Sequence, residues 1–254
     1  MEYTTALSET ETQRYSRQII LKEIGLENHK KISNTVVLVV GLGGLGSPVV
    51  TYLCTSGIKK IILADFDKVE LHNLQRQTIH QENFINKFKT ESAKNFINNL
   101  NSEMEVKCFT KKVNEENIEE IAKEANLLVD CTDDLNTRYV ISAYAKKFGK
   151  TLIMGSVLKF AGQVYVFPKG KSCYTCLFPE FKTVRENCSS AGVLGSVCGI
   201  IGSIQATEII KNILIDYPSY ILTYDAIDNE IKKVIVRECK EMCEKINLPV
   251  ILHS

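Results

Sequence analysis

The chain is predicted to fold as a doubly wound α/β domain. Three features of its 254 residues say so: an apolar run that empties into a glycine-rich turn, a second apolar run that ends in an acid, and a regular alternation of strand-like and helix-like segments. Residues 35–40, Thr-Val-Val-Leu-Val-Val, read as a buried strand. Gly41, Gly43, Gly44 and Gly46 follow at once. Glycines there let backbone approach a phosphate, and a helix expected over 46–55 then aims its first N–H groups at an anion. The second run, 60–65, ends in Asp65, about twenty residues beyond the glycines, where such domains set a carboxylate on a ribose hydroxyl. Taken alone, the turn also suits plain strand-to-helix packing, and Asp65 also suits a strand-end turn.

Further strand-like runs lie at 105–109, 127–130 and 151–155, with helices expected over 90–100, 116–123 and 135–148. This order predicts a Rossmann-like, mainly parallel sheet with helices on both faces and ligand-binding residues at the strand C-terminal ends. The pattern changes from Lys159. Residues 163–167, 221–224 and 233–236 read as antiparallel strands around a helix over 197–214, so the sheet is extended by antiparallel strands in the C-terminal half. The expected organisation is one domain over 1–254, with a helical segment at 1–30, a nucleotide-binding half at 31–157 and a second, partner-binding half at 158–254.

Composition narrows the function by exclusion. Lys and Arg total 31 against 30 Asp and Glu, which gives no global bias toward nucleic acid or membrane surfaces. No apolar stretch is expected to reach membrane-spanning length. Residues 1–11 are polar and acidic, unlike a secretion signal, and the nine cysteines are an odd number, so reduced thiols and a cytoplasmic location are expected.

The glycine turn leaves NAD, FAD and ATP open. The polar residues at the strand ends narrow the choice. They are Asp65-Phe66-Asp67, Asn73-Leu74-Gln75-Arg76-Gln77, Lys89-Thr90-Glu91-Ser92-Ala93, Asp130-Cys131-Thr132-Asp133-Asp134 and, near the start, Arg14-Tyr15-Ser16-Arg17-Gln18-Ile19. A dinucleotide needs little positive charge. Arg17, Arg76 and Lys89 together suit a triphosphate, and Asp133 offers hard oxygens to a divalent metal.

These motifs, with Cys-Ser-Ser-Ala-Gly-Val-Leu-Gly from Cys188, resemble the ThiF/MoeB/HesA adenylyltransferases, relatives of the ubiquitin-activating enzymes. The resemblance runs from about Thr10 to about Glu244. It implies ATP- and Mg²⁺-dependent adenylation of the C-terminal Gly-Gly carboxylate of a ubiquitin-like sulfur carrier protein, with release of pyrophosphate. Under it, Gly41, Gly43, Gly44 and Gly46 form the nucleotide loop and Asp65 holds the ribose. Asn73, Arg76 and Lys89 face the phosphates, Asp133 binds magnesium, and Asp67 and Asp134 complete the nucleotide site. Arg17 reaches across a homodimer interface to the partner subunit's ATP.

Cys54, Cys108, Cys131 and Cys198 lie in apolar stretches and read as small core residues. Cys173-Tyr-Thr-Cys176 has the spacing that chelates a tetrahedral metal, and Cys239 with Cys243 would complete a four-sulfur structural Zn²⁺ site. The resembled family usually has two residues between its second pair of cysteines. Here there are three, a spacing that on a helix still sets both sulfurs on one face. A redox pair or plain thiols are the other readings. Cys188 sits in a polar segment beside Arg185 and matches the family cysteine that bonds covalently to the carrier. The carrier pathway (molybdopterin, thiamine thiazole or tRNA thiolation) is not readable. A sulfur donor is expected to be a separate protein, since no sulfurtransferase segment follows residue 254.

Two other classes compete. A nicotinamide-dependent oxidoreductase would share the glycine turn but not the three cations. A non-catalytic partner of an activating enzyme would have lost one or more of the ATP residues, which are all present.

Overall fold

The computed structural model describes residues 7–179 and 192–237. Eight strands form one sheet: β1 (Val36–Val40), β2 (Lys60–Ala64), β3 (Glu105–Phe109), β4 (Leu127–Asp130), β5 (Thr151–Leu158), β6 (Ala161–Phe167), β7 (Tyr220–Asp225) and β8 (Glu230–Ile235). Their order across the sheet is β3-β2-β1-β4-β5-β6-β7-β8. The first five are parallel, with Val37 opposite Ile61 on one side and Leu127 on the other. From β5 onward the pairing is antiparallel. The mainly parallel sheet with its antiparallel C-terminal extension is thus the one the sequence predicts.

The chain order reverses between β1 and β4. In an open α/β sheet the crevice outside the strand C-termini at such a point is where ligands bind. β1 is apolar along its whole length, and β4 up to its last residue, Asp130, because helices cover both faces of the sheet. On one face Val37, Val39, Leu63, Val129, Ile153 and Val164 pack into one core, and on the other Leu38, Val40, Ile62, Leu128, Leu152 and Met154 pack into a second. This is the period-two alternation of a strand buried on both sides.

The helices are α1 (Glu9–Ile19), α2 (Gly25–Ser33), α3 (Gly46–Cys54), α4 (Lys89–Leu100), α5 (Ile118–Ala122), α6 (Leu135–Lys147), the single turn α7 (Tyr174–Leu177) and α8 (Gly195–Leu214). α1 starts at a capping box: the Glu11 amide donates to Ser8 Oγ and the Ser8 amide donates to Glu11 Oε2. Lys59, 2.6 Å from Glu11, holds that carboxyl down to about 2. Asp134 caps α6, accepting from the Thr137 amide at 2.9 Å and its hydroxyl at 2.7 Å. α3 and α4 have no side-chain cap. Both begin at the crevice.

One expectation fails. α8 is 20 residues long with mean hydropathy 1.3, which by length and composition alone is enough to cross a membrane. Its apolar face instead packs on α3, β5 and β6. Its polar residues are satisfied within the fold: Glu208 pairs with Lys211 at 2.7 Å and accepts from the Tyr220 hydroxyl, and Gln205 donates to the Asp130 carbonyl at 3.1 Å. Gln205, Glu208 and Lys211 interrupt the run enough to hide its length from a scan for unbroken apolar residues.

Candidate nucleotide site

The glycine loop lies between β1 and α3 at the reversal point. Gly41 has φ +89°, and a Cβ there would stand 2.9 Å from the Cys131 carbonyl carbon and oxygen, so loop and β4 end meet backbone to backbone. A Cβ on Gly46 would fall 2.2 Å from the Gly41 carbonyl oxygen. Both positions therefore require glycine, for the turn and for its closure onto the helix. Gly44 lies against Cys198 Sγ and the Arg76 stem, and Gly195 against the Gln75 carbonyl. The loop, the 73–77 segment and the start of α8 thus converge on one side of the crevice.

Asp65 lies just past β2 and is 8% exposed. Its Oδ2 accepts from the Leu42 amide at 2.7 Å and its Oδ1 from the Asp67 amide at 2.8 Å. Burial pushes its pKa up, opposed by Lys89 and these two amides. Each oxygen keeps a second lone pair for a hydroxyl. Lys89 is the first residue of α4 and only 5% exposed. A cation at the positive end of an uncapped helix is locally unfavourable. Asp67 compensates, with Oδ2 2.8 Å from Lys89 Nζ, and its own carboxylate is about half exposed.

Asn73 is buried, and its Oδ1 accepts from the Glu70 amide at 3.3 Å, shaping the short 3₁₀ turn Leu71–Asn73. Arg76 is half-buried; its guanidinium donates to the His72 carbonyl at 3.3 Å. Asp133 is exposed in the turn after β4. Asp134 serves α6 as its cap and faces Lys112 at 3.3 Å. Arg17 is exposed on α1. Its helix is anchored by Tyr15, whose ring packs tilted against His29 with centroids 4.9 Å apart, and by Gln18, which donates to the Ser56 carbonyl.

Two buried groups escaped the sequence reading. Arg138 Nε lies 3.0 Å from Asp130 Oδ2, and Arg138 Nη2 donates to the Thr132 and Gly155 carbonyls at 2.9 and 2.7 Å. Asp130 Oδ1 accepts from the Thr132 amide and hydroxyl. This pair fixes the turn that carries Asp133. His80 is the second; its ring bridges the Leu42 carbonyl and Ser92 Oγ, each at 2.9 Å, and burial pushes its pKa down to about 4.

Of the core thiols, Cys54, Cys131 and Cys198 are buried and Cys108 is half-buried. Burial raises Cys54 to about 11 and holds Cys108 and Cys131 above the ordinary thiol value, as inert core residues require. Cys173 stands at the N-cap of α7 and Cys176 lies within it, with their Sγ atoms 3.3 Å apart. No group of three His, Cys, Asp or Glu side chains gathers among the described residues. Cys188, Cys239 and Cys243 lie outside them.

The parallel order, the glycine loop at the reversal point and the acid after β2 define a nucleotide-binding α/β domain. Residues 15–245 match the model of the ThiF family, and the chain belongs to that family. It is 38% identical over 253 residues to the adenylyltransferase and sulfurtransferase MOCS3 of Xenopus laevis, covering 96% of this chain and 56% of that protein. It is 42% identical over 214 residues to the MOCS3 of Culex quinquefasciatus, covering 83% of this chain and 49% of that protein. The chain thus spans about half the length of these curated relatives. Among solved structures, E. coli MccB with ATP superposes with a TM-score of 0.77 at 23% identity over 92% of this chain and 75% of that one. PaaA superposes with a TM-score of 0.76 at 20% identity over 94% of this chain and 77% of that one. Both show the same fold.

Proposed function

We propose that the chain is an ATP-dependent adenylyltransferase that activates the C-terminal Gly-Gly carboxylate of a ubiquitin-like sulfur carrier protein. The observation that carries this reading is Lys89: a buried cation at the N-terminus of an uncapped helix, held by the half-exposed Asp67 beside the glycine loop. Membership of the ThiF family and likeness to proteins named as adenylyltransferases support it.

In the reaction a carboxylate oxygen of the carrier forms a bond to the α-phosphorus of ATP, and the bond to the pyrophosphate oxygen breaks. Negative charge builds on the α-phosphate oxygens and on the leaving group. The glycine-loop amides and the N-terminus of α3 face the phosphates. Arg76 and Lys89 oppose the developing charge from fixed positions, which costs no reorganisation at the moment of reaction. Asp65 takes the ribose hydroxyl on its remaining lone pairs. Asp133 fits a magnesium ion, which is commonly held by one or two carboxylates plus substrate phosphates. That ion neutralises phosphate charge when bound. Gly43, Gly44 and Asn73 shape the loop and the cation-bearing segment around it.

Arg17 faces outward on α1, a placement suited to a partner subunit's site in a homodimer. Cys173 and Cys176 converge closely enough to supply half of a structural zinc site, with Cys239 and Cys243 as the other half. Cys188 is assigned the covalent step with the carrier, and the reaction is placed in the cytoplasm. The nicotinamide alternative lacks support, since three cations have no role in it. The test is product analysis with a carrier ending in Gly-Gly and the same carrier lacking its last glycine. Hydroxylamine should trap a carrier hydroxamate with stoichiometric pyrophosphate only from the intact carrier. Equal trapping from both would rule out recognition of the Gly-Gly end.

A further inference from the structure

We propose that His80 is a positioning residue that closes a hydrogen-bonded ring holding the glycine loop in register with the end of β2 and the start of α4. The ring can be followed atom by atom. Lys89 Nζ donates to Asp67 Oδ2 at 2.8 Å. The Asp67 amide donates to Asp65 Oδ1 at 2.8 Å, and Asp65 Oδ2 accepts from the Leu42 amide at 2.7 Å. On the other side of the same loop residue, the Leu42 carbonyl meets His80 Nε2 at 2.9 Å, and His80 Nδ1 meets Ser92 Oγ at 2.9 Å. Ser92 lies three residues after Lys89 on α4, which closes the ring.

The chemistry fixes the tautomer. A carbonyl only accepts, so Nε2 carries the proton, and Nδ1 accepts from the Ser92 hydroxyl. The ring is 5% exposed, and burial keeps it neutral. Leu42 is the residue between the first two glycines of the loop; its side chain is buried in the core, and its two backbone polar groups are held separately. Its amide is fixed by the acid assigned to the ribose, and its carbonyl by a histidine tied to the helix that carries the phosphate cation. An ordinary core histidine would pair with elements remote from a site, whereas both partners of His80 belong to it. The ring transmits the position of α4 to the loop, so Lys89 and the loop amides are presented to the same ligand together.

This inference rests on the ATP reading above, and the experiment separates the two. ATP binding is titrated calorimetrically with wild-type chain, His80→Gln and His80→Asn, with urea unfolding of each in parallel. A Gln side chain reaches far enough to donate to the Leu42 carbonyl from the Nε2 position; Asn reaches only the Nδ1 position. His80→Asn should raise the ATP Kd about tenfold, the effect of leaving one buried carbonyl unpaired, while His80→Gln should stay within about threefold of wild type. A merely structural role would make affinity follow stability instead of the reach of the amide. Should His80→Asn fail to fold, Ser92→Ala replaces it; loss of the hydroxyl that orients the ring should weaken ATP about threefold. Equal affinities for His80→Gln and His80→Asn, or an unaltered Ser92→Ala where that variant decides, would overturn the proposal while leaving ATP binding intact. A wild-type chain that binds no ATP would overturn both.

Discussion

Replacing Arg138 by Met tests the internal support of the Asp133 turn. Arg138 is 6% exposed and Asp130 0%. The guanidinium holds an ion pair at 3.0 Å and two carbonyl bonds. Met keeps most of the apolar stem but removes all three contacts and leaves Asp130 charged in the core. Breaking a buried pair from one side costs about 3–5 kcal/mol. For a chain of this size that lowers Tm by roughly 10 °C. The pH dependence has a definite sign. Burial raises the Asp130 pKa, and removing Arg138 takes away the largest influence opposing it, leaving the Thr132 hydroxyl and amide. The native variant then holds its proton to higher pH than the unfolded chain does, so its stability falls as pH rises, and its deficit against wild type should shrink as pH is lowered toward the ordinary carboxylate range. The assay is urea unfolding of wild type, Arg138→Met, Asp130→Asn and the double variant. The double variant should lose clearly less than the sum of the singles, since the second change removes the stranded charge. A loss below about 1 kcal/mol for Arg138→Met, or strict additivity, would refute the reasoning.

Three other outcomes are expected. His80 is lowered from 6.5 to about 4 by burial, so the unfolded chain binds the extra proton between these values. Stability from this group is complete above pH 6.5 and declines by about 3 kcal/mol as pH falls to 4; urea unfolding of wild type and His80→Gln over that window should show a flatter slope in the variant. Lys89→Met should reduce pyrophosphate exchange by about 10²–10³, while circular dichroism shows the fold unchanged; an undiminished rate would remove Lys89 from the phosphate role. Metal analysis of the purified chain should find about one zinc per chain, lost in Cys173→Ser/Cys176→Ser; zinc-free wild type of full stability would leave the thiols without that role.

Much of the fold was legible because its signals are local. The β1 run, the glycines and Asp65 follow one another within thirty residues, and each has a physical reason for its place. The antiparallel extension showed in the change of pattern after Lys159. The supports of the site were not legible, because their partners are remote in the chain. His80 meets Leu42 from 38 residues away, and Gln205 meets Asp130 from 75. A lone histidine or an arginine inside a helix carries no period that would announce such a contact. Asp134 illustrates a role the motif did not announce: read as a ligand beside Asp133, it also caps α6 through Oδ2.

The central claim is activation of a carrier carboxylate by ATP, and ATP–pyrophosphate exchange tests it most directly. Purified chain with Mg²⁺ should exchange labelled pyrophosphate into ATP only when a ubiquitin-like protein ending in Gly-Gly is present. Absence of exchange with every such carrier, in a chain that binds ATP, would contradict the account and favour a non-catalytic partner of an activating enzyme.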